Sequence, residues 1–351
     1  MTRQTRSTDI LIVGAGPGGL ACARILAEQG RQVLVLERKK TVGAKVCAGG
    51  ITWDGLINVV PEHLIERSFC DQHIFSRHQK VLVSEKNPII ATVNRSTLGQ
   101  WMAEQAKKAG ADIITGHRVV SITDQHVTVR SLSGEKTDIF FSHLVGADGA
   151  HSLVRKWLDI PSKLIGPGIN YQIDGAVEKM EWHLNTIYFG YGYGWIFPHK
   201  RTVSIGAYSP QGNMPAKQLK NNLISWATEK GYLLENESCR SAMINYDYRG
   251  YQFKNIWLVG DAAGLASGLT GEGIYPAIVS GETVARRIVD PCQSDKAIYD
   301  MVKKQRQHQK VIALASRHPR LCSMLMEILV FMLKCKVIDF HALEMAVVKN
   351  G

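Results

Sequence analysis

A cysteine in a glycine-rich stretch is the first residue of this sequence whose type and setting suit chemistry. Cys47 lies in KVCAGG, residues 45–50. A thiol with an ordinary pKa of about 8.5 is protonated at neutral pH and can donate its proton to a reacting group. The alternative is that Cys47 is a small residue bordering a ligand, and that the glycines beside it leave room for that ligand. The stretch therefore predicts a proton donor or the edge of a binding site.

A row of aromatic residues at a spacing of two is the second candidate. The stretch YGYGWIFP, residues 191–198, contains Tyr191, Tyr193, Trp195 and Phe197. Residues two apart on a strand point to one side, so these rings predict one aromatic face. Such a face attracts a developing cation by about 2 kcal/mol when water is excluded, although alternating aromatics often serve only sheet packing. The phenol of Tyr193 is a second candidate proton donor.

A glycine-rich turn near the N-terminus predicts a dinucleotide site. Gly14, Gly16 and Gly19 have the spacing G-x-G-x-x-G between a short apolar run, residues 10–13, and a helical pattern. The first glycine allows the tight turn, the second lets a pyrophosphate approach the backbone, and the third lets the helix pack on the strand. The N–H groups of the helix N-terminus bind the anion. Glu37 follows at the end of the second predicted strand, where an acid accepts from ribose hydroxyls.

Composition limits the classes of protein to be considered. The chain has 351 residues, of which 45% are hydrophobic and 21% charged, as in ordinary globular proteins. The net charge of +11 favours an anionic partner, such as a phosphorylated substrate or a membrane surface. Its basic residues form no DNA-binding arm, so we expect no nucleic acid. Seven cysteines without a CxxC pair predict a reduced, cytoplasmic setting, and no histidine cluster predicts a metal site.

Patterns along the chain predict an α/β domain with a parallel sheet. With a strand-rich second sheet and a helical C-terminus added, the chain as a whole is predicted to be α+β. A helix with a Ser/Thr cap is expected from residue 96 to 110, and a buried strand at residues 144–147. The first and last strand–helix patterns are expected to share one parallel sheet. The predicted domains are a discontinuous nucleotide domain of residues 1–60, 95–165 and 250–295, a substrate sheet of residues 61–94 and 166–249, and a helical segment of residues 296–351.

The most apolar segment of the sequence lies near the C-terminus, at residues 321–340. It contains Glu327 in its middle and lysines towards its end. A buried helix is one interpretation, and a contact with a membrane surface or the wall of a lipid pocket is the other. No apolar run reaches the length of a spanning helix, and we expect no signal peptide.

Two further motifs accompany the glycine turn. LVGADGAHSLVR, residues 144–155, and LVGDAAGLASGLTGEGIYPAI, residues 258–278, resemble the second and third FAD motifs of the flavoprotein hydroxylase superfamily. The resemblance implies a Rossmann-like FAD-binding domain and a helix, opened by Gly271, Glu272 and Gly273, whose N-terminus faces the flavin. The FAD contacts that it implies come from Gly14, Ala15, Gly16, Pro17, Gly18, Gly19, Glu37, Arg38, Lys45, Cys47, Ala48, Arg95, Val119, Asp148, Gly149, Gly260, Asp261, Gly271, Gly273 and Ile274.

The forms K-x-C-x-G-G and Y-x-W-x-F-P together resemble the geranylgeranyl reductase family, which saturates prenyl double bonds. Ala48 stands where that family has glycine, and His199 where it commonly has lysine. The resemblance implies a reductase that delivers a hydride from reduced flavin N5, plus a proton, to a prenyl double bond. It places Cys47, Tyr193 and Trp195 at the reacting centre and Tyr191 and Phe197 against the substrate.

Other activities stay open on sequence grounds. The superfamily includes aromatic monooxygenases and flavin halogenases, and the halogenase form W-x-W-x-I-P is close to YGWIFP. A flavin-bearing sensor without catalytic activity is a third interpretation. The expected substrate is a prenyl diphosphate or a prenyl lipid, and the expected electron donor is NADPH or reduced ferredoxin. Contact of the cytoplasmic protein with the inner face of a membrane is a further open expectation.

Overall fold

The computed structural model describes residues 4–43, 48–52 and 60–346. Lys45 and Cys47 lie outside the described residues. The helices are α1 (Pro17–Glu28), α2 (Arg95–Lys108), α3 (Leu153–Trp157), α4 (Thr186–Phe189), α5 (Ala216–Glu229), α6 (Gly260–Ala263), α7 (Ile274–Val289), α8 (Lys296–Arg317) and α9 (Pro319–Lys334), with 3-10 turns at Glu62–Leu64 and Phe340–Leu343.

The strands fall into three sheets. They are β1 (Gln4–Val13), β2 (Val33–Leu36), β3 (Gly50–Thr52), β4 (Ile65–Phe69), β5 (Asp71–Phe75), β6 (Lys80–Ser84), β7 (Ile90–Val93), β8 (Asp112–Ile114), β9 (Arg118–Ile122), β10 (His126–Arg130), β11 (Lys136–Gly146), β12 (Ile165–Asp174), β13 (Glu181–His183), β14 (Tyr193–Pro198), β15 (Thr202–Tyr208), β16 (Arg240–Asn245), β17 (Gln252–Phe253) and β18 (Ile256–Leu258).

The first sheet holds the glycine turn. Its strand order is β17-β18-β11-β1-β2-β8, and β1 pairs in parallel with β2 on one side and β11 on the other. The chain therefore changes direction across the sheet at the carboxyl end of β1, which ends at Val13. Ligands of open α/β sheets bind in the crevice at such a switch point. The apolar residues Ile10, Leu11 and Ile12 are fully buried, as expected for a central parallel strand.

The second sheet carries the aromatic row. Its order is β16-β12-β15-β14-β13-β5-β6, and its pairs are antiparallel except for β13 with β5. A third sheet has the order β3-β7-β4, and its first strand begins at Gly50, the last residue of KVCAGG. The predicted fold class is confirmed, because a parallel Rossmann-like sheet, a strand-rich second sheet and C-terminal helices are all present. The domain boundaries stay a prediction.

Two local predictions need correction. The cap of α2 is Asn94, not a serine or threonine, because its side chain accepts from the N–H groups of Ser96 and Thr97. The apolar C-terminal segment forms α9, but it is not simply a buried helix, since one of its faces is exposed. Within the described residues, no helix combines the length and the hydropathy needed to cross a bilayer.

Candidate functional site

One large cavity is lined by residues of all the motifs that the structure describes. Its volume is about 1270 Å³, whereas pockets for one small ligand usually measure roughly 300–1,000 Å³. The space therefore suits a dinucleotide together with a second ligand. The predicted site residues that line it are Gly14, Ala15, Gly16, Pro17, Gly18, Glu37, Arg38, Ala48, Arg95, Val119, Asp148, Gly149, Gly260, Asp261, Gly271, Gly273, Ile274, Tyr191, Tyr193, Trp195 and Phe197.

The three motif glycines do different work. A Cβ at Gly19 would lie 2.2 Å from the carbonyl oxygen of Gly14, so this glycine serves the packing of α1 and lies outside the cavity lining. A Cβ at Gly14, whose φ is +105°, would lie 2.4 Å from the oxygen of Ala147. A Cβ at Gly16 would meet only that oxygen, at 3.8 Å. Gly16 thus leaves an open cradle on the cavity side, which is what close approach of a pyrophosphate requires.

The carboxylate of Glu37 is hydrogen-bonded to the glycine turn. Its Oε2 accepts from the backbone N–H of Ala15 at 3.0 Å, and its Oε1 accepts from that of Lys39 at 2.9 Å. An ionised carboxylate has about four acceptor positions, so it can bind ribose hydroxyls in addition. The arrangement holds the carboxylate at the end of β2, where the cavity opens.

Two side chains of the cavity wall have buried polar atoms, three in all, without a hydrogen-bond partner among the described residues. They are Nε and Nη1 of Arg95 and Oδ1 of Asp148. The other oxygen of Asp148 accepts from the N–H of Leu153 at 2.6 Å, and burial raises the pKa of this carboxyl. Leaving such groups unsatisfied is unfavourable by about 1–3 kcal/mol each. A ligand with phosphates and hydroxyls satisfies both, so these residues fit FAD.

A buried arginine that the sequence reasoning missed joins the second motif to the third. Arg155 is almost fully buried, and its Nη1 donates to the carbonyl oxygen of Ala262 at 3.2 Å. Its Nη2 donates to the carbonyl oxygen of Asp247 at 2.6 Å. Its place at the end of the second motif was visible in the sequence, but its distant partners were not. Arg155 fixes the relative position of the two motifs.

The described end of the KVCAGG stretch, Ala48 and Gly49, packs against His199, which follows β14. The carbonyl oxygen of Ala48 lies 2.9 Å from Nε2 of His199, whose Nδ1 lies 2.5 Å from a carboxylate oxygen of Glu66. A Cβ at Gly49 would lie 2.5 Å from Cε1 of His199. The expectation that this glycine leaves room for a ligand is therefore wrong, because His199 fills that space. Ala48 and Gly49 of the first motif therefore contact the residue that follows the second motif, His199.

Replacing Gly49 with alanine is expected to destabilise the protein by about 2–3 kcal/mol. The backbone φ of +81° is strained for alanine, and the new methyl would also lie 2.8 Å from the oxygen of Val93. Urea unfolding of the apoprotein measures the loss. Gly134→Ala is the matched control, because its φ is +90° and it has no neighbour within 4 Å. Equal losses in the two variants would show that His199 and Val93 do not restrict this position.

Aromatic rings form one wall of the cavity. Tyr193, Trp195 and Phe197 lie on β14, and Trp182 of the neighbouring β13 contacts the rings of Tyr193 and Phe197 at centroid distances of 5.5 and 4.7 Å. The indole N–H of Trp195 donates to Oγ of Ser204 at 3.0 Å, so its ring is fixed. The single-face prediction holds for Tyr193, Trp195 and Phe197, and Trp182 enlarges the wall. Tyr191 was expected in the same strand row, which is wrong, because it precedes β14, and its O–H donates to the carbonyl oxygen of Gln211 at 3.3 Å. The sequence reasoning missed Trp182, which lies on a strand of only three residues.

The phenol of Tyr193 connects this wall to the third motif. Its O–H donates to the carbonyl oxygen of Thr270 at 2.5 Å. A Cβ at the next residue, Gly271, would lie 3.2 Å from the same phenol oxygen. The turn before α7 and the aromatic row therefore meet inside the cavity.

A carboxyl group missed as a site residue lies at that turn. Oε2 of Glu272 accepts from the backbone N–H of Met345 at 2.8 Å, and its Oε1 is buried without a partner among the described residues. Burial raises the pKa of Glu272 to about 7. The side chain therefore carries a proton for a substantial fraction of the time at neutral pH. The residue was visible inside the third motif, but its burial by a distant C-terminal segment was not.

A neutral histidine supports the same turn. Oγ of Ser267 accepts from the N–H groups of Leu269 and Thr270 and lies 2.8 Å from Nδ1 of His308. Because this oxygen already accepts twice, its own hydrogen is directed to Nδ1, and the imidazole proton is on Nε2. Burial lowers the pKa of His308 to about 4. Nε2–H lacks a partner in the described part of the chain and so offers a donor at the cavity wall.

Comparisons with known proteins agree with these features. A family model described as FAD binding domain matches residues 7–308. A geranylgeranyl diphosphate reductase of Rhodobacter capsulatus is 27% identical, over 82% of this chain and 76% of its own. A digeranylgeranylglycerophospholipid reductase of Methanosphaera stadtmanae is 29% identical, over 78% of this chain and 76% of its own.

Solved structures show the same fold. A geranylgeranyl bacteriochlorophyll reductase-like protein of Thermoplasma acidophilum superposes with a TM-score of 0.82 at 22% identity, covering 97% of this chain and 95% of its own. The flavin-dependent brominase Bmp2 superposes with a TM-score of 0.68 at 15% identity, covering 97% and 96%. At these identities the likeness concerns the fold alone.

Proposed function

Because the chain belongs to the FAD binding domain family of FAD-dependent oxidoreductases, we propose that it saturates carbon–carbon double bonds of a prenyl chain. FAD is its cofactor. The observation that carries the proposal is the aromatic wall of Trp182, Tyr193, Trp195 and Phe197 in the cavity that also contains the FAD motifs. The names of the relatives from Rhodobacter and Methanosphaera support the same substrate class.

The protein's own groups divide the work of binding. Arg95 and the α1 N-terminus bind the pyrophosphate, and Glu37 binds a ribose. The prenyl chain lies against the apolar inner face of α9, where Met326, Leu329 and Leu333 line the cavity. The substrate is a prenyl diphosphate or a prenyl lipid, and the electron donor is NADPH or reduced ferredoxin.

An isolated alkene needs help from its surroundings because nothing polarises it. When bound, reduced FAD would supply the hydride for one carbon. Protonation of the other carbon gives the hydride acceptor the character of a tertiary cation. The faces of Tyr193 and Trp195 stabilise that charge by up to about 2 kcal/mol when water is excluded, and they do not react with it. Tyr191 and Phe197 extend the wall along the substrate.

The proton has three candidate sources in this proposal. Cys47 and Tyr193 follow from the sequence, although Cys47 lies outside the described residues and the phenol hydrogen of Tyr193 is directed to Thr270. Glu272 is the third, because an acid whose pKa is near the working pH donates efficiently and regains its proton readily. Its loss of the proton from Oε1 would leave a carboxylate held by the N–H of Met345.

An anaerobic spectroscopic experiment tests the proposed function. The purified holoprotein is photoreduced, geranylgeranyl diphosphate or a geranylgeranyl lipid is added, and the flavin absorbance is followed. We expect the oxidised spectrum to return with each prenyl substrate that binds. A reduced spectrum that persists with every prenyl substrate would contradict the proposal. Substrate-dependent oxygen uptake with an aromatic compound would instead support the monooxygenase or halogenase alternative.

A further inference from the structure

The outer face of α9 is apolar where a surface helix normally carries polar residues. Between residues 321 and 331 the exposed side chains are Leu321, Met324, Ile328 and Phe331, which are 46%, 52%, 43% and 55% exposed. Their spacing of three, four and three residues places them on one side of the helix. These four residues are called the apolar face below.

The surroundings of the apolar face extend it. Leu314 is exposed on α8, and Val337 is exposed just beyond α9. Two elements that pack against α9, β6 and α4, each present one exposed aliphatic side chain, Leu82 and Ile187. Large exposed patches of this kind mark an interaction site rather than ordinary surface.

The charges around the apolar face are mostly positive, and the exposed Asp339 follows Val337 and Ile338. Residues 301–338 contain eight lysines and arginines and one acid, Glu327. Its carboxylate accepts from Oγ of Ser76 at 2.7 Å and from the side-chain amide of Gln79 at 2.9 Å, so the turn between β5 and β6 occupies it. That turn itself presents exposed cations, and further cations flank the apolar face. These exposed residues are Arg77, Lys80, Lys310, Arg317, Lys334 and Lys336.

The opposite side of the same helix borders the cavity. Met326, Leu329 and Leu333 line the cavity, whereas the apolar face points away from the protein. One helix thickness therefore separates the proposed prenyl site from the outer apolar surface. An amphipathic soluble helix would have a polar side here, and a helix apolar on both sides needs a second apolar environment.

We propose that α9 lies on the surface of an anionic phospholipid bilayer, with its apolar face inserted among the acyl chains and the flanking cations against the headgroups. Helices that lie in the interface combine such an apolar face with lysine and arginine beside it. Anionic lipids attract basic residues at the surface, and salt screens this attraction. The docking rests on the surface alone. Docking would also place the cavity next to prenyl lipids of the bilayer, and this consequence alone rests on the proposed function.

Vesicle co-sedimentation of the holoprotein tests the docking. We expect binding to vesicles of phosphatidylcholine with phosphatidylglycerol, weaker binding as salt is raised, and little binding to phosphatidylcholine alone. The double variant Ile328→Asp/Phe331→Asp should lose at least about tenfold in binding, because it places charge in the inserted face. Its flavin absorbance verifies that it is folded. Leu233→Asp is the matched control, since Leu233 is exposed on another part of the surface, and it should bind like the wild type.

Three results would overturn the docking proposal. The first is that the wild type does not bind anionic vesicles, and the second is that the wild type and the double variant bind them equally. The third is that, without lipid, the wild type and Leu233→Asp are dimers whereas the double variant is a monomer. The last result would show that a second copy of the chain covers the apolar face. None of these readouts depends on alkene reduction, so failure of the docking and failure of the proposed function are distinguishable.

Discussion

Replacing Gly16 with alanine will weaken FAD binding by at least about 100-fold, or about 2.7 kcal/mol, and will leave the apoprotein as stable as the wild type. The backbone at Gly16 has φ −80° and ψ 176°, which alanine adopts without strain. The added methyl has one protein neighbour, the oxygen of Ala147 at 3.8 Å. It therefore occupies the space through which a pyrophosphate approaches the backbone. Fluorescence titration of the apoprotein with FAD measures the affinity.

Gly19→Ala gives the contrast that identifies the cause. Its methyl would lie 2.2 Å from the oxygen of Gly14, so this variant should lose apoprotein stability as well as FAD. Urea unfolding of the two apoproteins separates the effects. Normal FAD affinity in Gly16→Ala would show that the cofactor does not approach the glycine turn.

Replacing Glu272 with glutamine will remove a pH-dependent loss of stability of up to about 4 kcal/mol. The pKa of about 7 in the folded protein lies above that of an unfolded glutamate, near about 4.3. Between these values the unfolded chain releases a proton that the folded protein keeps. The contribution of Glu272 is therefore fully present below the unfolded pKa and is lost as pH rises towards 7. Glutamine stays neutral throughout, so the variant should be the more stable protein above neutral pH.

Urea unfolding of the apoproteins from about pH 4 to about pH 9 measures this difference. The charged group that interacts with Glu272 is Lys304 on α8, which also interacts with Glu344 and His308, and all three are unchanged in the variant. Glu282→Gln is the control, because Glu282 lies on the same helix, α7, in surface pairs with Arg24 and Arg286. Parallel stability curves of the wild type and Glu272→Gln would show that burial does not raise this pKa.

The same variant tests the proton source in turnover. If Glu272 donates the proton, the turnover of the wild type should decline as pH rises through about 7, and Glu272→Gln should be slow at every pH while keeping FAD. An unchanged pH profile in an active Glu272→Gln variant would leave Cys47 and Tyr193 as the candidate donors.

Sequence alone was most informative where a contact is local. The glycine turn and Glu37 belong to one strand–helix–strand unit, β1-α1-β2, so their contact follows from their spacing in the sequence. The cap of α2 was misjudged because Asn94, Ser96 and Thr97 are all capping residue types. Only the backbone geometry decides which side chain reaches the free N–H groups.

Long-range packing explains what the sequence could not give. The contacts of His199 with Glu66 and Ala48 span 133 and 151 residues. The hydrogen bond that holds Glu272 comes from a segment 73 residues away. Helix α9 is apolar on both sides, so periodicity could not show which side is exposed. The motifs therefore predicted the cofactor. The structure was needed to find the buried carboxyl of Glu272, the contact of His199 with Ala48, and the exposure of the apolar face of α9.

The most direct test of the proposed reduction is the mass of the product formed by the reduced holoprotein without oxygen. A geranylgeranyl substrate is incubated with stoichiometric reduced protein, extracted and weighed by mass spectrometry. We predict that each reduced double bond adds the mass of two hydrogen atoms, in step with return of the oxidised flavin spectrum. Recovery of every prenyl substrate at its original mass from fully reduced, FAD-loaded protein would contradict the proposed function.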